Sequence, residues 1–190
     1  MFAKRNRPTA VTIAAFLHFA IALAFASIPI IGLLYGADVQ AAAEAEVVRQ
    51  GQDPDLLAAN GLAFDERGVA IWATFAITAA LALLGAMLLT GRRVARVLAF
   101  VALPLVLAGN ALIVASNATA TAKVQALFDA SGDAAVRSLD AAAILDAAFA
   151  AYPDWLPTLE GVRFAVVTAG CVLGVVLLAL RPAREYFRKA

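Results

Sequence analysis

The chain has 190 residues, of which 63% are hydrophobic and 15% charged, with a formal net charge of +1 and a mean hydropathy of +0.85. Soluble domains average about 45–50% apolar, and a chain this short cannot hide the excess in one core, so the excess is expected to face lipid. A single cysteine, Cys171, excludes an intramolecular disulfide, a Cys-x-x-Cys pair and a cysteine metal cluster, and with one histidine, His18, a His-based metal site would need carboxylates or a partner chain.

Residues 1–8 carry Lys4, Arg5 and Arg7 ahead of an apolar run from about Thr9 to Tyr35. A secretory signal peptide with Ala24-Phe25-Ala26 as its cleavage site is the competing reading. The apolar run continues through Ile30, Ile31, Leu33 and Leu34, which is long enough for a span and too long for a signal-peptide core, so retention as the first span is favoured. Pro29 marks a kink or an end of regular helix in its outer third.

Residues 36–68 are polar and acidic, and predict helical pieces rather than a plain loop. Asp38 is a candidate N-cap for a helix over 39–50, with Gly51 as its stop. Asp53-Pro54 predicts a second start and Gly61 a second stop. The second span is expected at about 69–90 and the third at about 94–116, with Pro104 and Asn110 inside it. Helix-forming residues then continue to Ala130, so the third helix is expected to project beyond the membrane. Ser131-Gly132-Asp133 predicts a stop and a new cap. A further helix over 133–151 would carry Val136, Leu139 and Ala143 on one side and Arg137 and Asp140 on another. Tyr152 to Pro157 breaks it. The last span is expected at about 162–180, followed by the basic tail 181–190.

The charges are segregated. The N-terminus, the turn Gly91-Arg92-Arg93 with Arg96, and the tail hold ten basic residues against one acid, Glu185; the two long connections, 36–68 and 117–161, hold four basic and thirteen acidic residues, with a fifth basic residue, Arg163, just beyond them. Lys and Arg gather on the cytoplasmic side. Both termini and residues 91–93 are therefore expected inside, and the acidic segments outside, in a multi-pass protein of the plasma membrane. Tyr35, Trp72, Tyr152 and Trp155 would fall near the outer interface, and Tyr186 and Phe187 near the inner one.

The two halves share this plan, and two short matches suggest a tandem duplication. Val39-Gln40-Ala41-x-x-Glu44-Ala45 resembles Val124-Gln125-Ala126-x-x-Asp129-Ala130, and Gly68-Val69 resembles Gly161-Val162. Alanine supplies 48 of the 190 residues, so coincidence is the competing explanation. Such repeats would be parallel, related by an axis along the membrane normal.

His18 lies near mid-membrane by its place in the first span, where an ionisable group is a candidate for a proton relay, quinone contact or haem ligand. The plainer reading, and the favoured one, is a neutral imidazole bonded to a neighbouring helix. Asn110 has the same two readings, again with the interhelical bond favoured. Ala70, Thr74, Thr78, Ala82 and Ala86 form a small-residue stripe along the second span, Gly170 and Gly174 a pair in the fourth, and Gly32 and Gly36 a pair at the end of the first. All fit close helix packing, within the chain in preference to between chains. Asn117-Ala118-Thr119 matches a glycosylation sequon, at a place and length where accident is as good an explanation. The acidic segments lack the spacing of a calcium loop and read as a solvated face. The basic tail reads as an anchor on anionic lipid.

No Walker loop, G-x-S-x-G or H-E-x-x-H occurs, no carboxylate falls inside a span, and no nucleic-acid module is present. The four-span plan is similar in outline to tetraspan groups such as MARVEL-like proteins, in topology only and without a shared motif. The Ala, Arg, Val and Asp bias looks like a high-GC bacterial proteome.

The expectation is an all-α integral membrane protein: a single membrane domain over 1–190, a four-transmembrane-helix bundle with a helical extracytoplasmic cap. The function expected is non-enzymatic, an accessory or scaffold subunit acting through helix packing or the cap. It would use no cofactor or metal and no nucleic acid, and its partners would be membrane lipid and a membrane protein or a second copy. The alternative is a small transporter, channel or lipophilic-ligand binder with a midplane pocket near His18 and Asn110.

Overall fold

The computed structural model describes residues 7–64 and 69–188, the side chains of 69 and 70 aside. Lys4, Arg5, Asp65, Glu66, Arg67, Lys189, the Gly68-Val69 half of the second repeat match and the Ala70 side chain of the small-residue stripe lie outside that description. Among the described residues 83% are helical and none is in a strand. The helices are α1 (Thr9–Arg49), α2 (Asp55–Ala59), α3 (Val69–Leu89), α4 (Arg93–Asn117), α5 (Ala120–Asp129), α6 (Ala134–Arg137), α7 (Ala141–Ala150), α8 (Leu156–Ala179) and α9 (Arg181–Arg188). By length and composition four of them, α1, α3, α4 and α8, are able to cross a membrane.

The largest departure from expectation is α1. It runs unbroken for 41 residues through Pro29, so Asp38 caps nothing. At 1.5 Å per residue it is about 60 Å long, roughly twice what a hydrocarbon core requires. Pro29 costs one backbone bond, and the alanine-rich stretch that follows has high helix propensity. Val39, Ala43 and Val47 recur every fourth residue and are all buried, which rewards continuing the helix over starting a new one. α4 departs the other way. It stops at Asn117 and α5 begins at Ala120, so no single helix projects to Ala130. The turn is closed by Thr119, whose hydroxyl donates to Ala115 and Ser116 carbonyls. The expected helix over 133–151 is two, α6 and α7. Asp133 caps α6 through the Ala135 N–H. Asp140, expected on a helix face, caps α7 through the N–H groups of Ala142 and Ala143. α8 begins six residues before the expected span because Pro157 falls in its first turn, where no backbone donor is missed.

The chain divides into two compact units. Unit 1 comprises residues 1–27, 72–112 and 158–190; unit 2 comprises 28–71 and 113–157. In unit 1, Val11, Ala14 and Ala15 of α1 pack with Leu84 and Leu88 of α3, Ala95 and Ala99 of α4, Leu178 of α8, and Ala183 and Phe187 of α9. A second cluster joins Ile21, Ala22, Leu81, Leu103, Val167 and Cys171. Phe187, expected at an interface, is a core residue. The tail is the short amphipathic helix α9, packed through that face.

Unit 2 has its own core. Val39, Ala43 and Val47 meet Leu57 of α2, Phe128 of α5, Val136 of α6, and Ala141, Ile144 and Ala148 of α7, with Leu139 between α6 and α7. Polar side chains stitch the same elements. Gln50 accepts the Asp140 N–H at 2.8 Å, and Gln52 donates to Ser138 at 3.0 Å. Glu46 is chelated by Arg49 through two bonds of 2.6 Å. Tyr35 packs edge-on against Tyr152 and Trp155, with centroids 6.4 and 6.1 Å away.

Candidate functional site

The buried polar groups of unit 1 are where an apolar protein has chemistry to offer. His18 is fully buried. Its Nδ1 donates to the Ala14 carbonyl one turn back, at 2.8 Å. A carbonyl can only accept, so the proton is assigned to Nδ1 and Nε2 keeps a lone pair. That lone pair is buried with no partner among the described residues. Gly85 of α3 lies against this turn of α1: a Cβ there would stand 3.1 Å from the Ala15 carbonyl oxygen, 3.1 Å from His18 Cβ and 3.3 Å from Phe19 Cε1. Only glycine lets the two backbones approach so closely.

Asn110 of α4 is buried and donates from Nδ2 to Thr168 Oγ1 of α8 at a long 3.4 Å. It does not reach His18. Ile21 rests against Gly170, so His18 lies level with about residue 173 of α8, roughly 7 Å along the axis from Thr168. Thr78 is half-buried and its Oγ1 is fully enclosed without a partner among the described residues. It lies two turns from Gly85 on α3, roughly 10 Å in the direction of the Asn110 layer. Thr78, Asn110 and Thr168 therefore share one polar layer of unit 1, and His18 sits in the next layer toward the α9 end. Thr74 is half-buried one turn beyond Thr78.

The small residues divide by role. A Cβ at Gly170 would stand 3.1 Å from Ile21 side-chain atoms, and one at Gly174 would stand 2.8 Å from Leu103 Cδ1. Gly36 is buried and Gly32 half-buried along α1. The stripe over 74, 78, 82 and 86 turns outward by its end, where Ala86 is exposed; the buried line of α3 is Leu81, Leu84, Gly85 and Leu88. Gly85 and Thr168 escape notice in the sequence. A lone glycine and a lone threonine inside apolar runs have no spacing to mark them.

Two further arrangements have the geometry of built features. In unit 2, Gln40 donates to Glu44 at 2.7 Å and accepts the Phe64 N–H at 2.7 Å. Gln125 donates to Asp129 at 3.0 Å and accepts the Ala141 N–H at 2.9 Å. The two matched stretches thus use the same glutamine for the same pair of bonds. At the basic end of unit 1, Gly91 (φ +78°) brings the turn against the Tyr186 ring, 3.0 Å from where a Cβ would be. Arg93 donates to the last carbonyls of α9, Phe187 at 2.9 Å and Arg188, and Tyr186 donates to Leu89 at 3.2 Å. The turn is a receptor for the C-terminal helix as well as a connector.

Among the described residues no three His, Cys, Asp or Glu side chains are grouped to hold a metal ion. Compared with known proteins, the chain matches no family, no curated protein and no solved structure.

Proposed function

We propose that this chain is a non-enzymatic accessory or scaffold subunit of the plasma membrane, with unit 1 as a four-helix transmembrane bundle and unit 2 as a folded extracytoplasmic cap. The observation that carries the reading is the independent core of unit 2. Loops that merely link spans need no such core, whereas a surface offered to a partner must be pre-organised. The cap is acidic: over 28–64 and 113–157 it holds ten Asp and Glu against Arg49, Lys123 and Arg137. A basic or polar partner surface fits it. The segregated arginines support an orientation with both termini and the central turn in the cytoplasm. The paired Gln40 and Gln125 bonds support a tandem duplication. So does the glycine at which the second long helix of each half meets the first, Gly85 at His18 and Gly174 at Leu103.

A second reading, a small transporter, channel or lipophilic-ligand binder, is favoured by one observation: the enclosed, unpaired Nε2 of His18 and Oγ1 of Thr78. Buried polar atoms without partners are rare, and a ligand or water would satisfy them. Purification in mild detergent separates the two. The scaffold reading expects a stoichiometric membrane-protein partner that photo-crosslinks to unit 2. A chain that purifies alone, with a lipid or quinone lost on His18→Ala, contradicts it.

A further inference from the structure

The basic end of unit 1 holds two arginines, Arg96 and Arg184, on helices that pack into one core cluster. Arg96 is half-buried in the first turn of α4. Its Nε donates to the Leu178 carbonyl at 3.1 Å, and its guanidinium lies over the Phe100 ring, 5.1 Å from the centroid. These contacts set the plane of the fork and leave its terminal nitrogens without a protein acceptor among the described residues. Arg184 of α9 follows Ala183, which packs in the same core cluster as Ala95, the residue before Arg96, so the fold brings the two arginines to one end of unit 1, where the charge of one bears on the other. Like charges at short range repel, and neither has a carboxylate partner among the described residues. Glu185, the one acid at this end, is paired with Arg181 at 3.0 Å.

The repulsion cannot relax by α9 drifting away. Phe187 and Ala183 are locked in the core, Arg93 holds the last carbonyls of α9, and Tyr186 is bonded to Leu89. A site that concentrates positive charge, orients one guanidinium and, among the described residues, supplies no counter-charge is complementary to an anion. A guanidinium fork matches the paired oxygens of a phosphate group bidentately. The place matters too. The pair lies where α4 starts and α8 ends, at the level where the phosphates of a leaflet lie if unit 1 spans the bilayer.

We infer that Arg96 and Arg184 form a headgroup site for an anionic phospholipid, with the phosphodiester held between the two guanidinium groups. α9 is then the element that completes the site, and its docking on Gly91 and Arg93 is what positions Arg184. The inference rests on membrane insertion of unit 1 and is independent of the scaffold role.

The test is native mass spectrometry of the full chain in mild detergent, with phosphatidylglycerol or phosphatidylcholine added. Retention of phosphatidylglycerol over phosphatidylcholine is expected. Arg184→Gln, at an exposed position that leaves the core intact, should lower that retention about fivefold. Arg96→Lys keeps the charge but loses the planar fork, and should also lower it. Arg137→Gln in unit 2 should change nothing. Equal retention by the original chain and Arg184→Gln overturns the site, as does displacement of the lipid by millimolar inorganic phosphate, which would mark a free-anion site. A chain that stays monodisperse without detergent would overturn the membrane reading itself. One that needs detergent yet shows no lipid preference overturns only the headgroup site.

Discussion

Gly85→Ala tests how the long helices of unit 1 meet. Two effects of opposite sign compete. Alanine is better than glycine in a helix interior by about 1 kcal/mol. Against that, the new Cβ would stand 3.1 Å from the Ala15 carbonyl oxygen and 3.1 Å from His18 Cβ. Neither neighbour can swing aside. One is backbone, and the other is the first atom of a fully buried side chain tied down through Nδ1. α1 and α3 must part by a few tenths of an ångström, loosening Ala14, Ala15, Leu84 and Leu88 together. Overpacking of this kind costs about 1–3 kcal/mol, so a net loss of about 1 kcal/mol is expected. Gly109→Ala is the control, since a Cβ there meets nothing within 4 Å and only the propensity gain remains. The gap between the two variants cancels propensity and should be about 1–3 kcal/mol. Reversible unfolding in mixed micelles, followed by tryptophan fluorescence, measures it. Equal stability of the two variants would refute the close approach at Gly85.

Other substitutions probe the remaining features. Gly91→Ala forces a left-handed residue to carry a Cβ, at about 1–2 kcal/mol, and presses on the Tyr186 ring. With Arg93→Ala, it should release α9, read as faster hydrogen exchange over 181–188; unchanged protection would show that α9 docks without the turn. Gln40→Leu and Gln125→Leu should each destabilise unit 2 by about 1–3 kcal/mol, because each strands a backbone N–H and a carboxylate partner. A large effect from one and none from the other would count against the two stretches being equivalent. Cys171 is 1% exposed and should resist maleimide until the chain unfolds; rapid labelling of the native protein would contradict its place in the core.

What could be read from the sequence was what periodicity and composition carry. The four long apolar helices, the glycine stops at Gly51 and Gly61, and the Asp133 cap follow from local residue chemistry. The continuity of α1 did not. A proline, two glycines and a cap-like Asp38 argue for an end, and only the burial of Val39, Ala43 and Val47 against α2, α5, α6 and α7 outweighs them. Asp140 was misplaced for a related reason. An aspartate inside an alanine-rich run looks like a helix face until a neighbour, here Gln50, engages its backbone. The tail was read as a lipid anchor by its charge. Its apolar residues, Ala183 and Phe187, are too few to signal a docked helix without the partner surface. His18 and Asn110 were visible because polar residues stand out in apolar runs. That they occupy different layers depends on helix register, set by contacts such as Ile21 with Gly170.

The central claim, that unit 1 crosses a membrane with unit 2 outside and the central turn inside, is tested most directly by cysteine accessibility. In a Cys171→Ala background, Asp133→Cys reports on unit 2 and Arg92→Cys on the turn, both at exposed positions. With a membrane-impermeant maleimide, Asp133→Cys is expected to label on intact cells, and Arg92→Cys only after the membrane is opened. Labelling of Arg92→Cys on intact cells with Asp133→Cys protected would reverse the orientation. Recovery of both variants in the soluble fraction would contradict the account at its base.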